Sequence, residues 1–217
     1  MATLVDNFDS YTDGYLTGQG GWSGGDRYHV QGSVVQGGAK AISNTEDSTN
    51  VRIQKSIDQT AEGSQICYMR KTNTTDNNHV IYILGFEGTT MKWTVNFEGN
   101  HIVLSSGATI GSSLSPDTWY KVEIQWKASD DTIRGRIDDG TFSDWGAAMS
   151  AFSYIDIIKL AISNNNTGQT GYWDTMSDPN AVSGPAKLKT FNGLATAKIK
   201  TINGLAIAKV KTINNLP

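Results

Sequence analysis

One cysteine in 217 residues, Cys67, excludes internal disulfides and a cysteine-rich zinc site. It falls on an expected strand, where it reads as a small buried hydrophobe and not as a nucleophile. Proline is scarce, at four residues, and the chain is rich in Gly, Asn, Ser and Thr. No stretch of three turns places apolar residues at i, i+3, i+4 and i+7 among helix-favouring neighbours. Together these features fit a series of short strands and turns better than a helical protein. No apolar run approaches the 18 residues of a membrane-crossing helix. The start, MATLVDNFDSYTDG, lacks a basic region followed by an apolar one. No secretory signal is therefore expected, and the chain is expected to fold in a reducing cytosol. Without that route, the glycosylation patterns at Asn73-Thr74-Thr75 and Asn165-Asn166-Thr167 carry no meaning.

Catalytic signatures are missing as well. The Gly-rich segment of residues 10–26 is no phosphate cradle, because Gly18 and Gly20 are followed by Ser23 and no helix follows. Trp22 in this segment is expected to cap one end of the core. No G-x-S-x-G elbow occurs. His29, His79 and His101 are far apart, so a transition-metal site has little support. The chain is not expected to be an enzyme.

What is present is alternation. The stretch Trp119 to Trp145 reads WYKVEIQWKASDDTIRGRIDDGTFSDW. Tyr120, Val122, Ile124 and Trp126 share one face, while Lys121, Glu123, Gln125 and Lys127 share the other. That period of two marks a strand with one dry and one wet face. A polar turn follows, and Ile133, Gly135 and Ile137 alternate with Thr132, Arg134, Arg136 and Asp138. Asp139-Gly140 gives a two-residue turn signal, with a third strand expected from Thr141 to Trp145.

Further strands are expected at Leu4–Phe8, Tyr28–Val35, Ala39–Ser43, Val51–Ile57, Gln65–Lys71, Met91–Phe97 and His101–Leu104. Val80–Phe86 is apolar on both faces, as expected of a strand at the sandwich centre. Phe152–Ser163 and Tyr172-Trp173 complete the set, the latter near the first strand. About a dozen strands at this spacing predict two packed antiparallel sheets.

W-Y-K-V-E-I followed by R-I-D-D-G-T-F-S-D-W resembles the late strands of LamG-like or concanavalin A-like lectin/glucanase jelly rolls. By strand rhythm the resemblance extends over about the first 180 residues. It implies a jelly-roll domain over residues 1–178 and, for function, a lectin, a glucanase or a structural module. The glucanases of that superfamily carry E-x-D-x-x-E, two carboxylates on one face for retaining hydrolysis. None of Glu46, Glu62, Glu87, Glu98 and Glu123 has those partners. A lectin-type site would stack sugars on an exposed ring, and the candidates are Trp22, Trp145, Tyr172 and Trp173, with an Asn-rich loop at 164–169. A structural calcium ion is the one cofactor considered. Asp6, Asp9 and Asp13 cluster early and Asp174 and Asp178 late, so pairing of the first and last strands would bring Asp6, Asp9 and Asp174 together.

The end of the chain differs in kind. Ser177 to Ala186 has linker composition, with the linker set at 179–186 and a tail at 187–217. KTFNGLATAKI, KTINGLAIAKV and KTINNLP repeat with a period of 11 residues. The tail holds six lysines and no acid, leaving 12 basic and 21 acidic residues in the first 186, a balance of −9. An acidic body argues against nucleic-acid binding there. Asn192-Gly193, Asn203-Gly204 and Asn214-Asn215 sit where two-residue turns belong, with nine-residue strands expected between them. Ala195, Ala197, Ile199 and Thr201, then Ala206, Ala208, Val210 and Thr212, form a small apolar face. Lys198, Lys200, Lys209 and Lys211 lie opposite.

So thin a sheet cannot stand alone. It is expected to dock on its own domain, on sister copies (a trimer, for instance) or on a larger assembly. K-T-x-N-G-L-A-x-A repeats resemble the C-terminal tails of phage virion proteins. The expected fold is all-β: a two-sheet antiparallel jelly-roll sandwich plus a short C-terminal β-meander or repeat tail. The leading expectation for function is a non-enzymatic bacteriophage virion protein, a capsid decoration, head-fibre or tail-surface component anchored through the repeats. Its partners would be other virion proteins and its own copies. The alternative is a carbohydrate-binding module that adheres to surface glycans, and a polysaccharide-degrading enzyme is the distant third.

Overall fold

The computed structural model describes residues 4–45, 51–163 and 169–177, together with the backbone of four short strands between 190 and 206. The chain divides into two compact units, Met1–Asn180 and Ala181–Pro217. Among the described residues there is no helix.

Among its described residues, the first unit holds fifteen strands. The early ones are short: β1 (Gly14–Tyr15), β2 (Ser23–Gly24), β3 (His29–Gln31) and β4 (Ala41–Asn44). Longer ones follow: β5 (Val51–Thr60), β6 (Glu62–Lys71), β7 (Val80–Glu87) and β8 (Thr90–Glu98). Then come β9 (His101–Leu104), β10 (Thr109–Gly111), β11 (Tyr120–Lys127), β12 (Thr132–Ile137) and β13 (Gly146–Ala147). β14 (Ile155–Ser163) and β15 (Gly171–Ser177) close the set. They form an eight-stranded sheet, β1-β3-β4-β15-β6-β11-β12-β13, and a seven-stranded sheet, β10-β9-β8-β7-β14-β5-β2. All pairings are antiparallel, as expected of the jelly-roll sandwich. The opening and closing segments meet, since Asp6 and Met176 exchange both backbone hydrogen bonds, at 2.8 and 2.7 Å.

The alternation of β11 becomes the middle of the core. Val122, Ile124 and Trp126 are buried between the sheets. Trp126 pairs across the strand with Gly63, and Trp93 of the other sheet with Gly85. A methyl group on either glycine would collide with the indole opposite it. Each sheet thus leaves a gap for one tryptophan, and the two rings meet with centroids 5.5 Å apart. β7 is covered on both faces, as its run of apolar residues predicts. Ile81 and Ile83 enter the main core, while Leu84 and Phe86 join Ala161 in a second cluster.

The chain departs from the expected strand at Thr141–Trp145, which is not a strand. The turn comes one residue earlier than Asp139-Gly140. Asp138 and Asp139 themselves take positive φ, 48° and 59°, and the Gly140 amide closes onto the Ile137 carbonyl at 2.8 Å. Asp138 is held there because its carboxylate accepts the Lys121 amide at 2.9 Å. The edge of β12 is met instead by Ser143, whose amide donates to Gly135 O at 2.9 Å, and then by the two residues of β13, which pair with Thr132 and Ile133. The expected strand Tyr28–Val35 is likewise cut to His29–Gln31. Two carboxylates pin the loop that follows: Asp9 accepts the Ala39 and Lys40 amides, and the buried Asp174 accepts those of Gln36 and Gly37.

In the second unit, β16 (Thr190–Phe191) pairs with β17 (Leu194–Ala195), and β18 (Thr201–Ile202) with β19 (Leu205–Ala206). The two hairpins are offset by the 11-residue sequence repeat and flank residues 192–193 and 203–204. The other tail positions assigned to anchoring, Ala197, Ile199, Val210, Ala208, Thr212 and the four lysines, lie outside the described residues, as do the side chains of Ala195, Thr201 and Ala206.

Candidate functional site

The sequence candidates for glycan contact separate in the structure. Trp22 and Trp173 are 1% and 0% exposed, so they are core residues and present no face to a ligand. The Trp22 indole N–H donates to Asp6 at 2.9 Å, and that of Trp173 to Tyr82 O at 3.2 Å. Both rings serve packing. Tyr172 and Trp145 are half-buried on the outer face of the eight-stranded sheet. The candidate calcium ligands are each turned onto hydrogen-bond donors. Asp6 receives Lys55, Tyr11, Trp22 and the Phe8 amide. Burial pushes the Asp6 carboxyl up, but those donors outweigh it and hold the group below the usual range. Asp9 and Asp174 spend their oxygens on the loop amides named above. Asp174 is fully buried, and burial raises its pKa against the pull of the Gln36, Gly37 and Thr175 amides. No group of three or more metal-ligating side chains occurs among the described residues.

What the topology does assemble is a row. Directly opposed residues in a sheet share a face. Tyr15 opposes His29, His29 opposes Ser43, Ser43 opposes Tyr172, and Tyr172 opposes Arg70. Their strand neighbours Val30, Ile42, Trp173 and Met69 point into the core, so the row points outward. It crosses β1, β3, β4, β15 and β6. Four inter-strand spacings give it a length of about 19 Å. Tyr15 is 58% exposed, and its ring lies 4.7 Å from that of His29. Arg70 lies 4.8 Å from the Tyr172 ring centre, and Trp119 meets Tyr172 edge-on at 6.2 Å. Asp117 fixes the Arg70 guanidinium at 2.6 Å.

At the Tyr15 end the row opens into a cleft of about 590 Å³, lined by Tyr15, Asp26, Arg27, His29, Ser43 and Thr45. Rings held at fixed spacing, with hydroxyl, imidazole, carboxylate and guanidinium groups at their edges, suit a ligand with apolar faces and a polar rim. Sequence reasoning found only Tyr172 of this row. Tyr15 sits in a two-residue strand inside the Gly-rich segment. The usable signal was an aromatic ring on a wet face, as Trp119 is on the face of Lys121.

A second feature lies on the same outer face, where residues 141–145 fold back over β12. Arg134 lies over both Phe142 and Trp145, its guanidinium carbon 4.5 and 4.6 Å from the ring centres. Lys127 lies 4.4 Å from the centre of the Trp145 ring, and Arg136 lies 4.3 Å from that of Phe142.

No family model and no curated protein matches this sequence. Solved structures match its fold. A sialidase superposes with a TM-score of 0.63 at 10% identity, over 82% of this chain and 19% of that one. The cellulose induced protein Cip1 gives 0.53 at 14% identity, over 80% of this chain and 95% of that one. A GH131 beta-glucanase catalytic domain from Podospora anserina gives 0.50 at 10%, over 81% and 96%. This chain spans about a fifth of the sialidase's length. At these identities the likeness is one of fold: the two-sheet antiparallel jelly-roll sandwich expected from the sequence.

Proposed function

We propose that this chain is a non-enzymatic carbohydrate-binding β-sandwich, which holds an extended glycan along the row Tyr15, His29, Ser43, Tyr172, Arg70 and Trp119. The observation that carries this reading is the register: five directly opposed residues place rings and polar groups in one outward line. Sugar rings would stack on Tyr15 and Tyr172, while His29, Ser43 and Arg70 meet their hydroxyls. Two of the neighbours are named for enzymes, but the sequence lacks E-x-D-x-x-E, which makes hydrolysis the weaker reading. A glycan array probed with the intact chain, then with Tyr15→Ala and Tyr172→Ala, tests it. Each substitution should weaken binding several-fold, up to about tenfold, since a stacked ring contributes about 0.5–1.5 kcal/mol beyond its area. Glycan binding that survives both substitutions unchanged, or no hit at all, would sink the proposal.

The tail favours a second reading of where the module works. Two hairpins recur at the 11-residue period in a segment with six lysines and no acid. Such short strands need a further surface to gain stability. The small face of Ala195, Ala197, Ile199 and Thr201 would bury against virion proteins or sister copies, with Lys198, Lys200, Lys209 and Lys211 facing acidic groups. The sandwich would then be displayed on a phage particle, as the resemblance of the repeats implies. Mass spectrometry should find the protein in purified particles, and light scattering should show loss of assembly on truncation after Ser183. A full-length monomer absent from particles would remove this reading and leave the glycan proposal standing.

A further inference from the structure

Lys127, Arg134 and Arg136 gather around Phe142 and Trp145. One carboxylate answers them. Glu123 is buried and pairs with Arg136 at 2.7 Å. Arg134 spends only its Nε, donating to Gln125 Oε1 at 2.9 Å. Its two terminal nitrogens, and Lys127 Nζ, have no acceptor among the described residues. Arg134 lies against the Phe142 and Trp145 rings, and the terminal edge of its guanidinium stays open. That edge is a planar fork of N–H donors matched to a carboxylate. Ser64, Gln125, Lys127, Arg134 and Trp145, with Glu62, line a cavity of about 270 Å³ beside it. That volume lies near the lower end of ligand pockets, about 300 Å³, and suits one sugar ring. Glu62 opposes Lys127 in the sheet without forming an ion pair with it. Ser64 is six residues from Arg70 along β6, so the cavity and the row are separated by about 20 Å.

We propose that this cavity binds the carboxylate of a uronic-acid residue, so that the molecule takes acidic polysaccharides at a site separate from the row. The Arg134 fork and the Lys127 ammonium hold the carboxylate, Gln125 meets a ring hydroxyl, and the sugar face lies against Trp145. The nature of the ligand rests on the glycan reading above; the charge and geometry of the cavity do not.

The test is titration calorimetry on the full chain with a polyuronate, a neutral glucan and a sulfated glucan, at low and high salt. Circular dichroism confirms that each variant folds. Lys127→Gln with Arg134→Gln should weaken polyuronate binding at least tenfold, since the charge-assisted bonds to the carboxylate are lost. Neutral-glucan binding should be unchanged in that variant and should fall in Tyr172→Ala. Polyuronate binding that survives the double substitution overturns the site and leaves the row intact. Equal binding of the sulfated glucan, abolished together with the polyuronate by salt, means unselective charge attraction and also overturns it. Neutral and acidic ligands both failing with the unaltered chain removes the glycan reading itself.

Discussion

Trp126 and Trp145 line the same small cavity, yet they belong to different regimes. Trp126 is 1% exposed, lies against Gly63 and Trp93, and donates its N–H to Thr60 O at 3.1 Å. Trp145 is half-buried, sits outside the strands, and is gripped by Arg134 and Lys127. In the interior, the ring's volume is matched by a glycine gap and its N–H is paired with backbone. On the outer face of the eight-stranded sheet, rings are steadied by cations and keep a side open to solvent. The same residue type therefore stabilises in one place and remains available for recognition in the other.

The comparison is broken most forcefully from the inside. Trp126→Ala removes a ring that both sheets were shaped to hold. It should lower the unfolding free energy by about 3–5 kcal/mol, read from urea denaturation at constant m. A loss below about 1 kcal/mol would mean the sheets close over the hole and that the glycine gaps are not specific to the indoles.

A second interior group gives a smaller effect with a distinctive signature. His79 is fully buried, and burial, with the neighbouring Lys71 ammonium, pushes its pKa down to about 4. Lys71 is itself buried, donates to the His79 carbonyl at 2.7 Å, and is pushed down by burial to about 8. The unfolded chain protonates His79 near pH 6.5, and the folded chain refuses that proton until about pH 4. The stability from neutral His79 is thus complete above pH 6.5 and is lost as pH falls from there toward 4. The full loss is about 3 kcal/mol. Melting followed from pH 7 to 4 should fall, and His79→Gln should flatten that fall. An unchanged acid slope in the variant would assign the loss to other groups.

These effects concern parts that the sequence made legible for a physical reason. A strand with one face buried must alternate, so Val122, Ile124 and Trp126 announced the core before any pairing was known. Val80–Phe86 announced a strand covered on both faces in the same way. The row on the outer face was hidden because it is not a local pattern. Residues 15, 29, 43, 172 and 70 become neighbours only through the strand order β1-β3-β4-β15-β6. Cross-strand register is set by the packing of the whole sheet, not by any single segment. Trp22 and Trp173 were misplaced as ligand contacts for the converse reason: a tryptophan beside Gly or Tyr in a polar-looking segment carries no mark of which way it turns. The turn at Asp138-Asp139 was misread by one residue because Asp tolerates positive φ when its carboxylate finds a backbone donor, here the Lys121 amide.

The smallest effect is the sharpest test of the two regimes. Trp145→Ala removes as many atoms as Trp126→Ala but leaves no closed cavity, because the ring is partly in solvent already. What is lost is contact with Arg134 and Lys127, and an exposed cation–ring contact contributes about 0.5–1 kcal/mol. The expected destabilisation is about 1 kcal/mol, a fraction of the interior value. A double-mutant cycle with Arg134→Gln isolates the stacking, and its coupling energy should be about 0.5 kcal/mol. If Trp145→Ala proved as costly as Trp126→Ala, residues 141–145 would be part of the fold's support. The open guanidinium edge would then be a by-product of packing, and the outer face would lose its claim to be built for a ligand.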